Sequence, residues 1–223
     1  MESLRGQILY RKDASQRLHI STANKIMATL VVIEKTPDLS AMVTISKESA
    51  GTEGSALRLE VGEKYSVEDL LYAVKLSNAN DAAMALAEFV GGGNVEKFVA
   101  LMNDKAHELN LVDTHFTNPT GLYDENQYTT ALDLALLTKY AISVPAFNRI
   151  FSYQAKPWIE KDGSVKVLTS QNQLFWSYEG VDGGKTGFNE KDKQTAVTTA
   201  TKDGQRLICV VLDAPEKTVF EDS

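Results

Sequence analysis

The stretch Val181-Asp182-Gly183-Gly184-Lys185-Thr186-Gly187-Phe188 is the one around which the chain is organised. Its glycines, lacking a Cβ, let a backbone come close to a neighbour. Lys185 and Thr186 set a cation beside a hydroxyl donor. Taken alone, a glycine-flanked Lys-Thr at the start of a strand is more often a turn than a site. The segments on either side decide between the two.

Downstream, Thr195 to Thr201 and Arg206 to Leu212 read as strands joined through Lys202-Asp203-Gly204-Gln205, whose Asp-Gly centre is a hairpin signal. At the other end of the chain, Gly6 to Tyr10 reads as a strand followed by a polar turn, Arg11 to Ser15. Helical patterns fill the middle. Ser21 and Thr22 precede the periodic apolar run Ile26, Met27, Leu30, Val31, Ile33, which predicts a buried helix with hydroxyl residues at its N-cap. Met42 to Ser46 is a short strand, and Lys47 to Gly62 a turn-rich excursion. Ser66-Val67-Glu68-Asp69 resembles a capping box opening the helix Leu70 to Leu76. Helices follow over Asp81 to Val90 and Val95 to Leu109, and from a Thr129 or Thr130 cap to about Ile142. Val165 to Leu168 reads as a strand.

Strands at both ends and helices between them predict an α+β fold, an antiparallel sheet built from both chain ends with a helical lobe inserted. The expected organisation is one domain over 1–223, with a sheet lobe at about 1–20 and 160–223 and a helical lobe at about 21–159. A cleft between sheet and helices is the natural place for a site.

Composition narrows the function. A 43% apolar content in 223 residues supplies a sizeable core. A formal net charge of −7 with no Lys/Arg cluster argues against a nucleic-acid partner. The lone Cys209, in the apolar run Leu207 to Leu212, is expected in the core and allows no intrachain disulfide. The three histidines are scattered without ligand spacing, so neither a metal nor a cofactor is expected. No apolar stretch reaches the roughly 18 residues that span a bilayer, and Met1-Glu2-Ser3-Leu4-Arg5 lacks the order of a signal peptide, as in a mature or trimmed chain.

Three segments could carry chemistry. In Ile20-Ser21-Thr22-Ala23-Asn24-Lys25, a hydroxyl lies three or four positions before a lysine, on one helical face, where a neutral amine can serve as its base. Alone, such a pair is more often an N-cap followed by a solvated lysine. Leu76-Ser77-Asn78-Ala79-Asn80-Asp81 crowds polar side chains at a helix junction, which are usually caps but can also line a cleft. Lys185-Thr186-Gly187 is the third.

Their order and wide spacing match the S-x-x-K, serine-containing triplet and K-T-G set of serine penicillin-recognising enzymes. With Thr114 to Leu122, Tyr128-Thr129-Thr130-Ala131 and Leu207 to Leu212 added, the chain resembles the D-alanyl-D-alanine carboxypeptidase family of low-molecular-weight penicillin-binding proteins over nearly its whole length. The resemblance implies a β-lactamase/transpeptidase-like fold and an acyl-enzyme mechanism. It also implies cleavage of the terminal D-alanine from a peptidoglycan stem peptide ending in D-Ala-D-Ala, and β-lactams as covalent inhibitors. The work would be extracytoplasmic, in the cell-wall space or on the outer face of a bacterial membrane. The first element would supply the nucleophile and its activating Lys25, the second would assist proton transfer, and Lys185, Thr186 and Gly187 would bind the substrate carboxylate.

Two positions depart from that pattern. Counting back from Lys25, the nucleophile position holds Thr22, with Ser21 one residue earlier as a rival on helical geometry. Aligning the second element on Asn80 puts Asn78 where the family usually has serine, with Ser77 one residue early. The extra methyl of threonine stiffens χ1 and crowds the approach to a carbonyl carbon. An asparagine amide cannot relay a proton as a hydroxyl does. A slow peptidase and a catalytically impaired protein that binds peptidoglycan peptide or a partner through the Lys-Thr-Gly strand are therefore both open.

Overall fold

A computed structural model describes residues 1–19, 24–189, 193–215, 218–221 and 223. In chain order the first elements are α1 (Lys25–Lys35), β1 (Met42–Thr44), α2 (Lys47–Ala50), β2 (Lys64–Ser66), α3 (Val67–Ser77), α4 (Asn80–Gly91) and α5 (Val95–Glu108). There follow α6 (Ala131–Ser143), α7 (Pro145–Phe151), β3 (Ala155–Ile159), β4 (Val165–Thr169), α8 (Leu174–Ser177), β5 (Val181–Asn189), β6 (Lys193–Lys202) and β7 (Gln205–Ala214).

Helix α1 is the centre of the core. Ile26, Met27, Leu30, Val31 and Val32 are all buried, and the helix packs against α3, α4, α5, α6 and α7. A helix apolar around its whole circumference belongs inside a protein, and each such side chain stabilises the fold by about 1.5–3 kcal/mol. The direction of Lys25, the first residue of α1, is thus set by the core.

The surrounding helices start where short polar side chains satisfy free N–H groups. Ser66 Oγ accepts from Asp69 N at 3.0 Å, Asn94 Oδ1 from Lys97 N at 2.8 Å, and Thr130 Oγ1 from Asp133 N at 3.0 Å. Ser46 and Ser49 form a reciprocal capping box that opens α2 inside the stretch expected to be only turns.

Among the described residues, the larger sheet has the antiparallel order β5-β6-β7. The turn between β6 and β7 has positive φ at both Asp203 and Gly204, as a type I′ hairpin requires. The chain's start closes on β7: Ile208 N donates to Met1 O at 2.8 Å and Ser3 N to Arg206 O at 2.9 Å. Gly6 to Tyr10, expected as a strand, is not one. Glu2 folds the chain back by accepting from Gly6 N through its carbonyl and from Leu4 N and Arg5 N through its carboxylate. Leu9 and Tyr10 are consequently exposed, with no strand to pair. Cys209, expected in the core, is half-buried on β7.

The glycine-rich stretch is edge strand β5, not a turn. A Cβ on Gly183 would run into the Phe151 ring and the Thr199 hydroxyl, and one on Gly184 into the Asn172 amide. These two glycines let α7 and the 170–172 loop lie directly against the strand.

Candidate active site

Four elements bring their polar side chains to one place: the N-terminus of α1, the α3–α4 junction, β5, and the loop around Thr120. The junction is set by Asn78, the C-cap of α3, with φ of 55° and ψ of 26°. Asparagine is among the few residues that take this left-handed conformation readily. Asn80 then opens α4.

Across this reversal each asparagine holds one lysine. Asn80 Oδ1 accepts from Lys25 Nζ at 2.7 Å, and Asn78 Oδ1 accepts from Lys185 Nζ. Lys25 also donates to the backbone carbonyl of Thr120. That loop is fixed by Asn118, whose Oδ1 accepts from Thr120 N, Thr120 Oγ1 and Gly121 N. Asn80 is held in turn, donating through Nδ2 to Glu53 O at 2.7 Å and through its backbone N–H to Ser55 O at 2.6 Å. Gly54, with φ of +84°, leaves no room for a Cβ beside the Asn80 amide. The Asp81 carboxylate, fully buried, accepts from the Leu57, Leu59 and Ala82 N–H groups.

The electrostatics are unusual for lysines. Lys25 is only 1% exposed and Lys185 4%. Neither makes an ion pair among the described residues. Burial pushes Lys25 down to about 7, against the opposing pull of the Asp81 carboxylate. Burial, with the nearby Lys25 and Lys75, holds Lys185 well below its ordinary range. An amine near neutrality at physiological pH can take a proton from an adjacent hydroxyl. Lys25 is thus not the solvated lysine that such a hydroxyl-lysine pair, taken alone, more often provides.

Of the residues singled out in the sequence, Lys25, Asn78, Asn80 and Lys185 come together, and Thr186 and the buried Gly187 continue along β5 beside them. Thr22 and Ser21 lie outside the described residues. Sequence reasoning passed over three contributors: the Thr120 carbonyl, Gln171, whose Oε1 accepts from Asn78 Nδ2 at 2.6 Å, and Lys75 on α3. Lys75 did leave a signal, being a cation inside the otherwise apolar run Leu70-Leu71-Tyr72-Ala73-Val74-Lys75-Leu76.

A helical lobe, an antiparallel sheet and an edge strand carrying a buried lysine define the β-lactamase/transpeptidase-like fold. Comparison with known proteins agrees. Residues 1–216 match the model of the peptidase S11, D-alanyl-D-alanine carboxypeptidase, family, and the chain belongs to that family. It is 35% identical over 214 residues to the D-alanyl-D-alanine carboxypeptidase DacF of Bacillus subtilis, covering 94% of this chain and 54% of that protein. With DacC of Escherichia coli it is 35% identical over 228 residues, covering 96% of this chain and 55% of that one. The chain thus spans about half the length of these relatives. The crystal structure of the Streptomyces K15 DD-transpeptidase superposes with a TM-score of 0.92 at 31% identity, covering 100% of this chain and 91% of that one. Among the described residues no helix is long and apolar enough to cross a membrane.

Proposed function

We propose that the protein is a D-Ala-D-Ala carboxypeptidase-like enzyme that cleaves the terminal D-alanine of peptidoglycan stem peptides through an acyl-enzyme on Thr22, in the cell-wall space or on the outer face of a bacterial membrane. The peptide's carboxylate is taken by Lys185, Thr186 and Gly187 along the β5 edge. The Thr22 hydroxyl attacks the penultimate carbonyl carbon while its proton passes to the Lys25 amine. Collapse of the tetrahedral intermediate breaks the peptide bond, and the leaving D-alanine amine takes that proton. Water then hydrolyses the ester. β-Lactams would acylate the same oxygen.

The observation that carries this reading is Lys25, a buried amine pushed down to about 7 and held, among the described residues, by the neutral acceptors Asn80 Oδ1 and Thr120 O. A lysine kept for stability alone would have a carboxylate partner or reach water. The test is incubation with a D-Ala-D-Ala-terminated peptide and with fluorescent penicillin. Release of D-alanine and labelling are expected, with labelling lost in Lys25→Ala; silence in both assays would refute the reading.

A second reading has its own observation. Asn78 caps Lys185 with an amide where the family usually has a hydroxyl, so a proton relay is missing. In this reading the protein is a pseudoenzyme that binds the peptide or a partner through the Lys-Thr-Gly strand without turnover. Thr22→Ser separates the two: a gain in penicillin acylation identifies a competent scaffold limited by its nucleophile, whereas peptide binding with no adduct in either form supports the pseudoenzyme.

A further inference from the structure

The amine that no motif accounts for is Lys75. It is 6% exposed on α3, and among the described residues its Nζ donates to Ser170 Oγ, at 3.3 Å, and lies 4.9 Å from the centre of the Phe175 ring. Its own carbonyl accepts from Lys185 Nζ at 3.5 Å. Lys25, Lys75 and Lys185 line one small cavity together with Phe147, Ile150 and Phe151.

Among the described residues, the groups facing this cavity leave three amines without a carboxylate bonded to them. From α1 comes Lys25, from α3 Lys75, from β5 Lys185, and α7 contributes only apolar side chains. The junction offers the Asn78 and Asn80 amides, and the 170–172 loop the Ser170 hydroxyl. Among the described residues, the Asp81 carboxylate on α4 acts on Lys25, and its oxygens are engaged by three backbone N–H groups. Like charges this close and this dry disfavour one another. Three amines so placed disfavour full protonation, and an arriving carboxylate restores the balance by drawing a proton in.

We propose that Lys75 is a positioning residue of the site, and that by repelling charge on Lys185 it makes the binding of a carboxylate-ended ligand take up a proton. The inference rests on the reading that Lys185 holds the ligand carboxylate. It makes affinity fall with rising pH where a site with a permanently charged lysine would be flat. Burial pushes Lys75 down to about 7, inside the range where this linkage operates.

The test is calorimetric titration of an acetylated peptide ending in D-Ala-D-Ala, between pH 6 and 9, in buffers of different ionisation enthalpy. For the natural protein the expected result is net proton uptake and an affinity that falls by up to about tenfold per pH unit, the limit for one linked proton. In Lys75→Met the fall should move to higher pH and the uptake near pH 8 should shrink. Ser170→Ala, which keeps the amine but removes its acceptor, should shift the profile in the same direction by less. Superimposable profiles in all three proteins overturn the inference alone. Absence of binding at every pH overturns the carboxylate reading and the inference with it.

Discussion

Two groups of lysines divide this molecule. Around the β3–β4 hairpin, Lys156 pairs with Asp69 at 3.0 Å, Lys161 with Glu60 and Lys166 with Glu160, all at the surface or half-exposed. Around the start of α1, Lys25, Lys75 and Lys185 are buried, with only neutral acceptors among the described residues. The carboxylate beside it holds Lys161 above its ordinary value, whereas burial drives the inner three down. The same residue type is thus a charged surface group in one place and a buried amine of lowered basicity in the other. The difference is made by the backbone that carries it: a solvated hairpin outside, a central helix and a glycine-thinned edge strand inside.

The largest effect that would break the comparison is on acylation. Lys25→Ala should slow penicillin labelling by about 10²–10⁴-fold, the usual contribution of a general base, measured as the rate of fluorophore incorporation. An unchanged rate would make Lys25 no different from the surface lysines.

Stability should separate the groups next. Lys25 and Lys75 titrate near 7 when folded and near 10.5 when unfolded. Between those values the unfolded chain binds more protons, so stability rises with pH and the full penalty is felt below 7. Each contributes a slope of at most about 1.4 kcal/mol per pH unit. Urea denaturation between pH 6 and 9 should show a rising midpoint, flattened in Lys75→Met. The smallest effect belongs to the hairpin. Lys156→Ala should change stability by about 1 kcal/mol or less, with no change in labelling.

Most of the helical lobe was legible because its signals are local. Ser66, Asn94 and Thr130 cap helices that the sequence announces by short polar residues before apolar periodicity, and Gly92 ends α4 in the left-handed conformation. The hairpin at Asp203-Gly204 was equally plain. What failed depended on partners distant in sequence. Ile8, Leu9 and Tyr10 have strand propensity, but Met1 to Ser3 lie along β7 instead. Pro157 hid β3, since a proline inside an apolar run argues against a strand unless the hairpin is two-stranded, as it is.

The site divides in the same way. Lys185 and its glycines could be found by motif, and Asn78 and Asn80 by position, yet the burial that lowers the Lys25 amine towards neutrality follows from the packing of α1 among five helices. The Thr120 carbonyl carries no side-chain signature. Lys75 required only the question of why a cation interrupts an apolar helix.

The central claim is that the buried Lys25 drives acylation of the Thr22 hydroxyl, three residues earlier in the sequence. Its most direct test is the intact mass of the protein after incubation with benzylpenicillin, followed by peptide mapping. A gain of one benzylpenicillin mass, mapped to Thr22 and absent from Lys25→Ala, is the predicted result. No gain after prolonged incubation, or an equal gain in Lys25→Ala, would contradict it.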